Sequence, residues 1–145
     1  MTLEETLANV EIFSELPQAD IARLAKVTVV RQYKDGDVMV REGELGVAFY
    51  VVSRGQVEVF KTTGPNPDQV QVIATLGEGS FFGEMALFDN HMRSASVRAK
   101  GPCECLVLTR WDFNAELSAS GCRIAIAMLA ILARRIRSLT EAATH

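Results

Sequence analysis

Residues 81–97 read FFGEMALFDNHMRSASV, and the rest of the chain is organised around this stretch. It begins with a short apolar run typical of a strand, turns at Gly83, continues through one apolar helical turn and crosses a polar loop before an alternating strand. Glycine lets the backbone approach a ligand closely, and the start of a helix leaves several amide N–H groups without partners. The stretch therefore predicts an anion-binding turn.

Two charged side chains in this stretch extend the prediction. Glu84 follows the glycine directly and can accept hydrogen bonds from hydroxyl groups, whereas Arg93, nine residues later, can bind a phosphate through its fork of donors. Because a sugar and a phosphate occur together in a nucleotide, the pair indicates a nucleotide pocket. Taken singly, Glu84 would fit a helix start stabilised by the helix dipole, and Arg93 would fit a surface ion pair.

The composition limits the classes of protein to which the chain can belong. It has 145 residues, of which 48% are apolar, and a net charge of −3, which fits one globular domain and argues against a general nucleic-acid binder. The N-terminus lacks the basic flank and apolar core of a signal peptide. The longest apolar run, residues 124–133, is about half the length of a membrane-spanning helix. These features predict a cytoplasmic protein without membrane insertion and without a nucleic-acid partner.

The cysteines and histidines do not have the pattern of a metal site. Cys103 and Cys105 lie two apart in a predicted strand and point to one face, so they are predicted to be reduced core residues. The histidines, His91 and His145, are too few for a zinc site or for the metal cluster of a cupin enzyme. The sequence thus predicts no metal, no cofactor and no enzymatic activity. His91 is expected to be solvated, and Trp111 is expected to pack in the core.

The spacing of apolar residues divides the chain into three segments that together form one predicted domain. Residues 1–26 have helical spacing, with a capping box at Thr2 and Glu5. Residues 27–109 alternate with a period of two between turn signals such as Asp35-Gly36 and Arg54-Gly55, and residues 110–145 are helical again. Eight strands are predicted, at 27–33, 37–41, 47–53, 55–61, 69–76, 79–82, 94–99 and 103–109. The expected fold is a mainly β sandwich or barrel with flanking helices.

The last predicted helix, residues 122–140, carries apolar side chains on more than one face. If it packed against the barrel alone, part of this apolar surface would be exposed, so the pattern predicts a partner helix or a lid function. Its arginines are interpreted as cations near a helix C-terminus, where they complement the helix dipole, and not as a membrane or nucleic-acid surface.

The pattern as a whole resembles the cyclic nucleotide-binding domain family, the regulatory jelly rolls of the catabolite-activator and protein kinase A regulatory subunit type. Residues 82–87 and 93–97 match the phosphate-binding cassette of that family, here residues 81–97, in order and spacing. Further matches fall within residues 10–137, at 12–16, 35–38, 41–44 and 49–59. The resemblance implies an eight-stranded β jelly roll, or double-stranded β-helix, with N-terminal helices and a C-terminal lid or dimer helix.

The resemblance also implies a role for individual residues. Glu84 would bind the ribose 2′-hydroxyl, Arg93 the cyclic phosphate, and the amides around the cassette the remaining phosphate oxygens. A hydroxyl at the position of Ser94 is associated in the family with tolerance for cGMP. Arg134 and Arg135 are the candidates for a lid contact with the base. The predicted ligand-binding residues are Phe82, Gly83, Glu84, Met85, Ala86, Arg93, Ser94 and Ala95.

The implied function is that of a regulatory module that binds cAMP or cGMP, with cAMP favoured, and signals through its C-terminal helix. A homodimer or a regulated partner domain is expected to contact residues 122–140. The alternative is a degenerate barrel of the same family that serves as an interaction or dimerisation domain without a nucleotide. A transcription factor of the catabolite-activator type would need a helix-turn-helix after the last helix, for which the sequence to His145 leaves no room.

Overall fold

The computed structural model describes residues 2–83, 87, 92–120 and 123–144, with side chains described as far as residue 141. The chain falls into two compact units, one of residues 1–27 with 111–145 and the other of residues 28–110. Helices from both ends of the chain form the first unit, and the strands form the second. Each boundary between the units lies one residue after the predicted segment end. That all three segments act as one domain remains a prediction.

The N-terminal part of the helical unit follows its capping signals. Helix α1 (Leu3–Ala8) has the predicted capping box, because the Thr2 hydroxyl accepts a hydrogen bond from the Glu5 amide at 3.1 Å and the Glu5 carboxylate accepts one from the Thr2 amide at 3.3 Å. A 3₁₀ turn (Glu11–Phe13), which the sequence did not predict, comes next. Helix α2 (Gln18–Val27) begins directly after the proline that suits a helix start.

The C-terminal part of this unit consists of helices α3 (Arg110–Ala119) and α4 (Arg123–Thr144). Phe113 is fully buried, whereas Trp111 is 65% exposed, so the prediction that Trp111 packs in the core is wrong. Residues two apart on a helix do not share a face, and Phe113 takes the buried position. No single described helix is long and apolar enough to cross a membrane, and only α3 and α4 taken together, as a pair bent by 114°, have that length and composition.

An ion pair between a buried carboxylate and an exposed arginine joins α2 to the start of α4. Asp20 is completely buried, and its carboxylate accepts hydrogen bonds from Arg123 Nη2 at 3.0 Å and from Arg123 Nε at 3.4 Å. The hydrogen bond and the charge of Asp20 both raise the pKa of Arg123. Because a buried carboxylate is costly without a cationic partner, Arg123 stabilises the charge of Asp20 and links the two helices.

All described strand pairs are antiparallel. The six described strands are β1 (Val29–Tyr33), β2 (Val38–Val40), β3 (Ala48–Thr62), β4 (Val70–Leu76), β5 (Phe81–Phe82) and β6 (Ser96–Thr109). The long strands β3 and β6 pair with each other at the centre. Strands β1 and β2 pair with opposite halves of β6, and β4 and β5 pair with opposite halves of β3. This mainly antiparallel architecture with flanking helices confirms the predicted fold class.

The prediction of eight separate strands is not confirmed, because two pairs of them are single strands in the structure. Segments 47–53 and 55–61 are joined in β3, and segments 94–99 and 103–109 are joined in β6. Gly55 and Gly101 have positive φ angles of 85° and 76°, and the β3–β6 register shifts on both sides of Arg54. The strands therefore bend and continue to pair instead of ending, and the turn predicted at Arg54-Gly55 is a strand irregularity.

One face of these strands forms the core of the unit. Its buried members are Val40, Val52, Val57, Phe82, Val97, Ala99, Cys103 and Cys105. Both cysteines of this cluster are free thiols, which confirms their prediction as reduced core residues. Burial raises the pKa of the Cys105 thiol to about 12, so this thiol stays protonated at neutral pH.

Candidate functional site

The main chain of Arg93 is held by the loop that precedes β3. The Arg93 amide donates a hydrogen bond to the Glu44 carbonyl at 2.7 Å, and the Gly43 amide donates one to the Arg93 carbonyl at 2.9 Å. Leu45 and Met92 form an antiparallel bridge beside them. These contacts bring the end of the cassette against a loop that lies far from it in the sequence.

The side chain of Arg93 lies between two glycines. Its Nη2 donates a hydrogen bond to the Ala48 carbonyl at 2.6 Å. A Cβ atom at Gly46 would lie 2.5 Å from Arg93 Nε, and one at Gly83 would lie 2.8 Å from Arg93 Nη1 and 2.9 Å from the Ala48 carbonyl oxygen. Gly83 also has a φ of 81°, which favours glycine. Gly46, Gly83 and the Ala48 carbonyl thus form what we call the glycine cradle of Arg93.

A stacked aromatic pair positions Gly83. Tyr50 on β3 pairs with Phe82 on β5, and their rings stack with centroids 4.8 Å apart and an interplanar angle of 6°. The Tyr50 hydroxyl donates to the Met39 carbonyl at 3.4 Å. Burial raises the pKa of Tyr50 while the charge of Arg93 lowers it, and burial has the larger effect. Tyr50 is therefore a neutral residue beside the arginine at physiological pH.

A cavity of about 110 Å³ opens beside the guanidinium, between Arg41, Gly46, Ala48, Tyr50 and Arg93. It is smaller than the 300 to 1,000 Å³ typical of whole-ligand pockets, so the described residues enclose room for a charged group and not for a complete nucleotide.

A larger cavity of about 630 Å³ lies elsewhere in the strand unit and shares only Arg41 with the first. Among the charged side chains that line it, Arg98 Nε and Nη2 donate to Glu58 at 3.2 and 3.1 Å, and the guanidinium lies 4.5 Å from the centroid of the Phe60 ring. Because these groups already neutralise each other, the smaller cavity beside Arg93 is the candidate site.

The structure brings together part of the predicted ligand-binding set. Phe82, Gly83 and Arg93 converge in the glycine cradle and on the aromatic pair beside it. Ser94 is exposed and Ala95 is half-buried, and both follow the arginine just before β6. Three predicted ligand-binding residues and the histidine of the loop lie outside the described residues, namely Glu84, Met85, Ala86 and His91.

The sequence prediction missed Gly46 and the Ala48 carbonyl. Residues 41–44 were recognised as a family match but were given no role. A second glycine, three residues after Gly43 and just before an apolar strand, is the signal that could have indicated a close backbone approach. It did not identify the group that approaches, because the contact with Arg93 depends on tertiary structure.

The two candidate lid arginines are ion-paired within the helical unit. Arg135 Nε donates to the Glu11 carboxylate at 2.9 Å, and Arg134 Nη2 donates to the Glu15 carboxylate. A cavity of about 620 Å³ lies beside these pairs, and Leu139 forms part of its lining. The contact of either arginine with a base stays a prediction.

Within residues 2–83, 87, 92–120 and 123–144, no group of three or more His, Cys, Asp or Glu side chains is arranged to hold a metal ion.

Comparison with known families gives one match that covers most of the chain. The family model described as cyclic nucleotide-binding domain matches residues 30–120. Among curated proteins, cGMP-dependent protein kinase 2 of Homo sapiens is 37% identical over 109 residues, and the kinases of Mus musculus and Rattus norvegicus give the same values. The match covers 74% of this chain but only 14% of the kinase, so the chain spans about one seventh of these relatives.

Solved structures show the same likeness in three dimensions. The N-terminal domain of a transcriptional regulator from Streptomyces coelicolor A3(2) has a TM-score of 0.84 at 29% identity, with 94% of each chain covered. The regulatory domain of Toxoplasma gondii PKA with cAMP has a TM-score of 0.74 at 26% identity, covering 94% of this chain and 49% of that one. The catabolite activator protein of Thermus thermophilus has a TM-score of 0.72 at 33% identity, covering 92% and 62%.

Proposed function

The chain belongs to the cyclic nucleotide-binding domain family, and on this premise we propose that it is a non-catalytic regulatory module that binds cAMP in preference to cGMP and signals through α4. The observation that carries the proposal is the glycine cradle, which holds Arg93 beside the turn at Gly83. A guanidinium has five N–H donors in a planar fork that matches a phosphate. The Ala48 carbonyl accepts from one of these groups and orients the fork.

The binding mode follows from this orientation. The cyclic phosphate would meet Arg93 at the small cavity, with backbone amides of the cassette around it. Glu84, by its match to the family, would accept a hydrogen bond from the ribose 2′-hydroxyl. The base would lie farther from the arginine, and Arg134 and Arg135 stay the candidates for a lid contact with it. Ligand binding can move α4 only if its affinity differs between two positions of that helix.

Two findings bear on the choice of base. The T. gondii regulatory domain, which resembles this chain over 94% of its length, was solved with cAMP, and this supports cAMP as the preferred ligand. The kinases that match over 74% of the chain are cGMP-dependent, and Ser94 supplies the hydroxyl that accompanies cGMP tolerance in the family. We therefore propose weaker binding of cGMP at the same site.

Titration of the full chain by calorimetry tests the ligand. We expect cAMP to bind at least about tenfold more tightly than cGMP, and a Ser94→Ala variant to lose affinity for cGMP more than for cAMP, because only the cGMP mode would use the hydroxyl.

At a hundred times its dissociation constant, cAMP should stabilise the fold by about 2.7 kcal/mol and raise the melting temperature by several degrees. An unchanged melting temperature with both nucleotides would favour the degenerate barrel.

The surface of α4 supports a proposal about its partner. Ile124, Met128 and Ile131 are buried, so one face of α4 is already packed within the protein. A second apolar set is exposed, with Ile126 at 66%, Leu129 at 63%, Ile136 at 65% and Leu139 at 72%. Positions 126, 129, 133 and 136 have the three-four spacing of a helix–helix seam, and alanine fills position 133. We propose that a second copy packs on this seam, with a regulated partner domain as the alternative.

Sedimentation of a double variant tests the seam. Leu129→Glu combined with Ile136→Glu should convert a dimer into a monomer, because each glutamate would place a charge in a desolvated helix contact. Ser138→Glu is the control for the added charge, since Ser138 is exposed on the same helix and, two residues after Ile136, lies outside the spacing of the seam. If the wild-type chain stays monomeric at high concentration, the seam does not bind a second copy, and the regulated partner domain becomes the favoured alternative.

A further inference from the structure

Ser96 is a buried polar residue close to the candidate site. It begins β6, three residues after Arg93, and its side chain is only 7% exposed. Among the residues of the strand unit that the structure describes, Ser96 is the one buried residue whose side chain carries a polar oxygen or nitrogen. Because a buried hydroxyl is costly unless it forms a hydrogen bond, the partner of this hydroxyl indicates its role.

The partner of Ser96 is the turn before β3. The Ser96 hydroxyl oxygen accepts a hydrogen bond from the Glu42 amide at 2.8 Å. Glu42 is the second residue of a four-residue turn, which the Glu44 amide closes by donating to the Arg41 carbonyl at 3.2 Å. Gly43, the third residue, has a φ of 85°, a conformation that glycine adopts without strain. Ser96 therefore attaches a closed turn to the start of β6.

The loop of residues 42–48, which begins in this turn, also holds Arg93. Its first part forms the two main-chain hydrogen bonds with Arg93, at 2.7 and 2.9 Å. Its second part supplies Gly46 and the Ala48 carbonyl, which confine and orient the guanidinium. Since Ser96 is bonded to the beginning of the loop, a shift of the turn would change both sets of contacts.

We propose that Ser96 is a positioning residue, whose hydroxyl fixes the loop of residues 42–48 and thereby the guanidinium of Arg93. Ser96 acts through Arg93 and needs no contact with a nucleotide. Its effect on affinity rests on the proposed function, in which Arg93 binds the cyclic phosphate. Its effect on the position of the guanidinium does not depend on any ligand.

A matched pair of variants isolates the contribution of the hydroxyl. Ser96→Thr keeps the hydroxyl, whereas Ser96→Val replaces it with a methyl group in a side chain of the same shape as threonine. Calorimetric titration of the full chain should show that Ser96→Val binds cAMP roughly fivefold more weakly than the wild type and that Ser96→Thr binds nearly as well. Only valine leaves the Glu42 amide without its acceptor. Equal affinities of the two variants would overturn the proposal.

A measurement without ligand separates this inference from the proposed function. In nitrogen–proton NMR spectra of the free chain, the Nε–H signal of Arg93 can be identified by its loss in Arg93→Ala. It should shift in Ser96→Val and keep its wild-type position in Ser96→Thr. If the wild type binds neither cAMP nor cGMP, the proposed function is wrong, but this signal still decides the role of Ser96. The same Arg93 signal in both variants would contradict that role.

Ser53 provides the control for a general loss of structure. Its hydroxyl also links β3 to β6, because it donates to the Glu104 carbonyl at 3.0 Å and to the Glu104 carboxylate at 2.9 Å. We expect Ser53→Val to lower the melting temperature but to leave the cAMP affinity and the Arg93 signal unchanged. If Ser53→Val weakened cAMP binding as much as Ser96→Val, the loss would reflect general destabilisation, and Ser96 would not be a positioning residue.

Discussion

Replacing Arg93 with alanine should weaken cAMP binding by about thirtyfold or more, because truncating one partner of a hydrogen-bonded charge pair costs roughly 2 to 5 kcal/mol. The guanidinium is already oriented by the Ala48 carbonyl and confined by Gly46 and Gly83. The side chain therefore loses little conformational entropy when the ligand binds. Calorimetric titration of the wild type and the variant measures the change.

Arg98→Ala provides a matched control for this loss. Arg98 lies on β6 only five residues after Arg93, but its guanidinium pairs with Glu58 and stacks on Phe60. Removing it changes the net charge by the same amount, so any long-range electrostatic effect on an anionic ligand would be similar in both variants. We expect Arg98→Ala to bind cAMP nearly as well as the wild type. Equal losses in the two variants would mean that Arg93 acts through general charge and not as a phosphate ligand.

The local geometry of the candidate site could be predicted from the sequence because it is encoded within one stretch, and the ligand contacts of its residues stay predictions. A glycine that ends an apolar strand, and an arginine that precedes an alternating one, identify Gly83 and Arg93 by short-range rules together with a family resemblance. The contacts of Arg93 with Gly46 and Ala48 could not be predicted in this way. They depend on how β3 pairs with β5 and on which loop meets residues 92 and 93, and both are properties of the tertiary structure.

The errors in the predicted fold have a similar cause, because they too depend on tertiary structure. Glycine marks both a turn between strands and a bend within one strand, so Gly55 predicted a chain reversal where β3 continues. Apolar bulk predicted that Trp111 is buried, but only tertiary packing decides that Phe113 takes that place. The two apolar faces of α4 were predicted correctly, because helical spacing alone separates Ile124 and Met128 from Ile126 and Leu129.

The glycine cradle makes a second strong prediction, that Gly46→Ala should weaken cAMP binding by about tenfold or more without unfolding the protein. An added Cβ would lie 2.5 Å from Arg93 Nε and 2.7 Å from Arg93 Cζ, far inside normal contact distance, so the guanidinium must move. The φ angle of Gly46 is not in the left-handed region, so alanine introduces no backbone strain. At Gly83, by contrast, a φ of 81° would add strain to the steric effect.

A double-mutant cycle separates displacement of the arginine from a general loss of structure. Gly77→Ala is the matched control, because a Cβ at Gly77 meets nothing within 4 Å, and this variant should bind and melt like the wild type. If Gly46→Ala acts by displacing Arg93, it should cause almost no further loss of affinity in an Arg93→Ala background, whereas independent effects would add. Additive losses, or wild-type affinity in Gly46→Ala alone, would show that the cradle does not position the phosphate ligand.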